Sequence, residues 1–259
     1  MVGFAQGERL TVVFKHGTLG VRRALDGIQL ILGRLGVPCT GFELDGDPPA
    51  SLAQALSRLE ATHTKRFRLV GQGWKFLLGS VGGWNLDFLE ITSESKPESI
   101  WDEWAAPFVS SSDFVMAWIA NSEYEYWQNA RDPVEYRAAG KSYADLPMIS
   151  NGLRYPLEQE IVDTSRNPGR RILRHGYIEV VGAVMWLGES FWPLSGANRR
   201  QVSDAGWLRI SIIGPLAIRL KAAEHCFTEA ASASGALQVQ LRSLLFPARN
   251  VAAGSFVRY

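Results

Sequence analysis

The apolar positions change period along the chain, and that change lays out the elements. Residues 9–15, RLTVVFK, group β-branched and aromatic side chains and predict a strand. From about Leu19 to Leu35, Val21, Leu25, Ile28, Leu32 and Leu35 recur every three or four residues. That spacing predicts an amphipathic helix closed by Gly36, with Gly27 and Gly33 as weak points. A short strand around Thr40–Leu44 runs into the turn DGDPP. A second helix is predicted over 49–62, with Pro49 first and Leu52, Ala55, Leu56 and Leu59 on one stripe.

Beyond Arg66 short apolar runs alternate with glycine. They predict strands at 67–71, 74–79 and 85–91, with Gly82-Gly83 as a hairpin turn. A helix over 98–104, a strand over 113–121 and a helix over 122–130 follow. Ser122 and Glu125 have capping-box spacing for the last of these. Residues 131–170 are irregular, punctuated by Pro133, Pro147, Pro156 and Pro168. Residues 140–152 are the best place for a subdivision or a long surface loop. The stretch RILRHGYIEVVGAVMWLGESFW predicts one bent strand or two paired ones. A short helix at 198–204, a strand pair around Gly214-Pro215 and a helix over 235–246 complete the chain.

This order lacks regular βαβ alternation. It predicts an α+β fold: mixed, mostly antiparallel sheet with helices packed on its faces. One domain over 1–259 is expected. Two similar halves stay open, although no residue match supports them.

Charge changes the picture more than composition does. The net charge is +1, yet Asp87 to Glu135 holds eleven acids against two bases. The rest carries 25 bases against 15 acids. Six of the nine tryptophans (Trp74, Trp84, Trp101, Trp104, Trp118 and Trp127) lie in or beside the acidic segment. Tryptophan is usually buried, but it is also enriched at binding hot spots. The longest uncharged apolar runs have nine residues, too short to span a bilayer. The first residues show no basic flank before an apolar run, and Cys39 and Cys226 are far apart. A cytoplasmic protein is the expectation.

Candidate chemistry is sparse. Asp87 with Glu94-x-Lys96 has the residue types of a metal-dependent nuclease. Without a turn between them, Asp87 and Glu94 would stand about 20 Å apart along a strand, so they do not make one site. Ser93-x-x-Lys96 matches a serine–lysine spacing by chance in a polar context. There is no P-loop, no G-x-S-x-G and no zinc-ligand spacing. No cofactor or metal is expected, and no catalytic residue is assigned. A metal-dependent hydrolase using Asp87, Glu90 and the Glu158/Glu160 pair, or a secretion-apparatus adaptor, are the alternatives. Basic residues at 170–174 and 199–200 read as a solvated face rather than a nucleic-acid footprint.

Four stretches carry a resemblance: WKFLLG from Trp74, WNLDF from Trp84, WDEW from Trp101 and GAVMWLGESFWPLSG from Gly182. Together they resemble the immunity protein 52 family of bacterial polymorphic toxin systems, over about Leu10 to Phe246. The resemblance implies a non-enzymatic α+β protein that stays in the cytoplasm. It implies a partner: a cognate toxin of restriction-endonuclease fold, encoded next door and exported by a type VI secretion machine. No catalytic residue carries over. The interface expected from the sequence itself is acidic and aromatic: Glu94, Glu98, Trp101, Asp102, Glu103, Trp104, Glu123, Tyr124, Glu125 and Trp127. Acids there would complement the basic, phosphate-holding cleft of a nuclease and speed encounter.

Overall fold

The computed structural model describes residues 7–93 and 100–247. β1 (Glu8–Lys15) leads into α1 (Val21–Arg34), whose stripe of Ala24, Leu25, Ile28, Ile31 and Leu32 is buried. The end of α1 follows from Gly36. Its φ is +67°, and the N–H of Val37 donates back to Leu32 O at 2.9 Å, which satisfies a carbonyl the helix would leave open. Gly27 is no defect. A Cβ there would lie 2.6 Å from Cζ of Phe108, so the glycine lets that ring approach the helix.

β2 (Glu43–Leu44) is only two residues long. α2 (Leu52–Ala61) starts later than Pro49 suggests, because Ser51 and Gln54 form a reciprocal capping box. β3 (Phe67–Gly71), β4 (Trp74–Val81) and β5 (Leu86–Ser93) follow. In the turn between the last two, Asn85 takes the left-handed conformation at φ +56°, not the glycine pair. α3 (Trp101–Val109) continues past Pro107, and β6 (Phe114–Asn121) follows. α4 (Ser122–Asn129) is capped by the side chain of Asn121, which accepts from Tyr124 N, rather than by Ser122.

The irregular region contains α5 (Pro133–Ala138) and the ladder of β7 (Met148–Ser150) with β8 (Glu160–Val162). β9 (Ile172–Arg174) and β10 (Tyr177–Glu179) form a hairpin. Then come β11 (Val184–Gly188), α6 (Phe191–Ser195), α7 (Arg199–Ser203), β12 (Arg209–Ile213), β13 (Ala217–Lys221) and α8 (Ala233–Leu245).

Nine strands make one antiparallel sheet in the order β12-β13-β11-β6-β1-β5-β4-β3-β2. Strands from both sides of residues 140–152 therefore share it. The fold is α+β, as expected from the element order.

Side-chain alternation gives the sheet two faces. On one, Leu10, Val12, Phe14, Phe76, Leu89 and Ile91 pack under α1, α2 and α3. On the other, Val13, Met116, Trp118, Met185, Leu187 and Leu220 pack under β10, α6, α7 and α8. One row crosses eight of the nine strands on this second face: Arg68, Leu77, Glu90, Thr11, Trp118, Met185, Leu220 and Ile210. Reading along it, apolar side chains give way to polar ones at β1 and β5, where the covering layer ends. Beyond that point no helix among the described residues covers β3 to β5, and Leu77 is 38% exposed.

Candidate functional site

The acidic segment folds into two helices that use the same residue types in opposite ways. On α3, Trp101 and Trp104 share a face, as their spacing requires. That face points inward. Trp104 is fully buried, 4.9 Å from the ring of Trp74 and 5.5 Å from that of Phe76. Trp101 packs edge-on against Trp74, and its Nε1 donates to Glu8 Oε2 at 2.6 Å. Both indoles are thus removed as surface anchors, because the strands beneath α3 offer an aromatic floor. Asp102 and Glu103 stay exposed, with Asp102 Oδ1 2.6 Å from Arg219 Nε. Glu94 and Glu98 lie outside the described residues.

On α4 the arrangement is reversed. Glu125 faces inward and is 3% exposed. It pairs with Arg9, accepts from Trp118 Nε1 at 3.3 Å and lies 3.6 Å from Arg171 Nε. Glu90 closes the cycle, 3.6 Å from Arg9 and 3.7 Å from Arg171. Burial by itself would lower the pKa of Arg9, but Glu125 and Glu90 outweigh it and hold the guanidinium above its ordinary value. Two acids and two guanidinia alternate, so the cluster is neutral and tightly held. Glu125 is therefore a structural carboxylate, not part of an outward acidic surface.

The outer side of α4 keeps Glu123, Tyr124 and Trp127 half-exposed. They line a groove of about 660 Å³ between α4 and the irregular segment, together with Tyr136, Val162 and Asp163. Tyr124 donates from its hydroxyl to Gln238 on α8 at 2.8 Å. Burial pushes that phenol up to about 12, so it stays neutral. Lys141 lies 3.6 Å from Glu123 and 5.1 Å above the ring of Trp127, a partial counter-charge. The backbone N–H of Ser165 holds Asp163 below the usual carboxylate range. Three features of this groove had no local sequence signal: Tyr136, Lys141 and Val162 all come from the stretch that reads as irregular. Asp102 and Glu123 also come to the same end of the sheet. Glu8, which lines a cavity with Asp102, pairs across the β1–β6 ladder with Asn121, the cap of α4.

The residues proposed for catalysis are not brought together. Asp87 and Glu90 are three apart in β5 and point to opposite faces, so they cannot share a metal. Glu160 begins β8 and Glu158 lies two residues before it, and both are exposed. Lys96 lies outside the described residues. Ser80, His16 and Asp87 have the residue types of a nucleophilic triad. Yet Ser80 Oγ and Asp87 Oδ1 both contact the same ring nitrogen, His16 Nδ1, at 2.9 and 3.0 Å. A base needs one nitrogen for each partner, so this contact is a tie, reinforced by Leu19 N on Asp87 Oδ2 at 3.3 Å. Cys39 and Cys226 are both free thiols. Burial, then the neighbouring Glu8, pushes the Cys226 thiol up, away from the thiolate a nucleophile needs. Among the described residues no group of three or more His, Cys, Asp or Glu side chains could hold a metal, and no helix is long and apolar enough to cross a membrane. Several bases read as a solvated face are engaged locally: Arg174 with Glu179, Arg199 with Glu189 and Arg200 with Asp204.

The α+β fold with its nine-stranded antiparallel sheet has a structural counterpart. The fold is similar to the solved structure of "Pseudomonas aeruginosa T6SS protein PA0821", with a TM-score of 0.52 at 14% sequence identity. The match covers 92% of this chain and 72% of that one. At such identity the likeness is one of fold. No protein-family model matches the chain, and no curated protein matches it.

Proposed function

We propose that this chain is an immunity protein that binds and neutralises a cognate nuclease-type effector of a type VI secretion system, inside the cytoplasm of the producing cell. It acts by occupying a surface of the toxin, without catalysis or cofactor. The observation that carries the reading is the fold likeness to a T6SS protein over 92% of the chain. The Trp and Gly motifs that resemble the immunity protein 52 family point the same way. The binding surface we assign is the α4 groove, with Glu123 and Asp163 as charges and Tyr124 and Trp127 as aromatic walls. Asp102 and Glu103 extend it at the same end of the sheet. An acidic surface there suits a toxin whose own cleft must be basic to hold phosphates.

The test is co-expression with the product of the neighbouring gene. Rescue of growth and a complex that survives purification are expected. Continued growth arrest with both proteins present would sink the immunity reading. A secretion-apparatus adaptor shares the same fold likeness, and it is separated here by a stable complex that gives no rescue.

A further inference from the structure

α4 is a ridge with a second side. Its last residue, Asn129, lines a separate cleft of about 300 Å³ between β5 and the β9–β10 hairpin. Leu86, Phe88, Leu173 and Ile178 make its apolar walls, and Thr11, Asn129 and the Glu90–Arg171 pair make it polar at one end. Thr11 is 1% exposed, and its hydroxyl has no hydrogen-bond partner among the described residues. A buried hydroxyl left in that state costs free energy, so a partner group is expected to come from outside.

The cleft shares Val81 and Phe88 with the bare face of β3 to β5. A Cβ on Gly79 would come within 2.4 Å of Cζ of Phe88, so the ring lies directly over that glycine on the sheet. Leu77 is an exposed apolar step beside it. Arg66 and Arg68 border the same face with Asp45 as the one acid among them, and neither guanidinium forms an ion pair among the described residues. Positive charge, exposed apolar surface and a half-polar slot therefore adjoin one another.

We propose that a partner polypeptide seated in the α4 groove continues past Asn129 onto this face. There it places an aromatic side chain with a hydrogen-bonding tip, tyrosine or tryptophan, in the cleft and carboxylates against Arg66 and Arg68. The inference rests on the effector-binding reading and adds where, and by what chemistry, the second half of the contact is made. Such a residue matches the slot in kind: its ring meets apolar walls and its donor meets the Thr11 hydroxyl or the Glu90 carboxylate. The two surfaces together demand a partner of mixed charge, basic over Glu123 and acidic over Arg68, which fixes its orientation.

The test measures binding of the purified product of the neighbouring gene to the wild-type chain and to Leu77→Glu, Arg68→Glu and Thr11→Val. Each variant's Tm is recorded alongside. Leu77 and Arg68 are exposed, so their Tm should hold while Kd rises by about tenfold or more. Thr11→Val removes the unsatisfied hydroxyl, so its Tm should hold or rise while Kd increases about threefold to tenfold. Variants that bind as the wild type does, in a chain that does form the complex, would overturn the cleft assignment alone. A wild-type chain that forms no complex would take down the effector-binding reading and this inference together. A labelled single-stranded oligonucleotide bound by the wild type and lost in Arg68→Glu would overturn the polypeptide assignment.

Discussion

α3 and α4 are built from similar letters. WDEW opens the first and SEYEYW makes most of the second, yet one buries its indoles and the other buries its carboxylate. The difference lies beneath them. α3 rests where Trp74 and Phe76 already form an aromatic floor, so its own rings complete an apolar layer and its acids turn to water. α4 rests over Arg9, at the strip where the sheet face turns polar. A guanidinium desolvated there requires an acid, and Glu125 supplies it. Tyr124 and Trp127 of α4 are then left half-buried on its outer side, Trp127 against Tyr136, where both line the groove. Helical spacing says which side chains share a face. It does not say which face goes inward, because that depends on strands far away in sequence.

The contrast can be broken most forcefully at the buried positions. Trp104→Ala should destabilise the fold by about 3–5 kcal/mol, whereas Trp127→Ala should cost much less, as read by urea unfolding. Equal costs would mean the two helices are not used differently. Glu125→Ala leaves Arg9 buried without its main partner and should cost about 3 kcal/mol or more. Glu123→Ala, on the exposed side, should stay within about 0.5 kcal/mol. Reversing Asp102, Glu103 and Glu123 together to Lys should lower the Tm modestly, because Arg219 and Lys141 then face like charges, but it should slow association with the toxin and alter its salt dependence. An association rate that did not move would remove the acidic surface from the mechanism. The smallest effect concerns pH. The Tyr124 phenol titrates near 12 in the folded chain, above its ordinary value of 10.0. The unfolded chain therefore loses that proton first, and stability should fall as pH rises from the unfolded to the folded value. Tyr124→Phe should flatten that part of the profile.

Much of the scaffold was legible from local pattern. α1 shows because Leu25, Ile28 and Leu32 repeat at helical spacing, and β4 because Trp74, Phe76 and Leu78 alternate with less buried residues. β11 was harder to delimit. Val184 to Gly188 are buried throughout, so no alternation marks the strand. The caps at Ser51 and Asn121 were missed because Pro49 and Ser122 offered competing signals one or two residues away. The candidate site was less legible than the fold. Glu123, Tyr124 and Trp127 stand out in the sequence by charge and aromatic density, and the structure places them on one groove. Arg9 and Glu125 are 116 residues apart in sequence, so no local motif could pair them.

The first strand of the chain is flanked in the finished sheet by β5 and β6. During synthesis it therefore emerges long before either neighbour exists: one hydrogen-bonding edge stays open until β5 has emerged and the other until residue 121 has left the ribosome. Its run of Leu10, Val12, Val13 and Phe14 is a sticky segment for that interval, of the kind chaperones hold. Once β6 docks, both edges of β1 are paired, but Val13, Met116 and Trp118 on the second face wait for the last third of the chain to cover them.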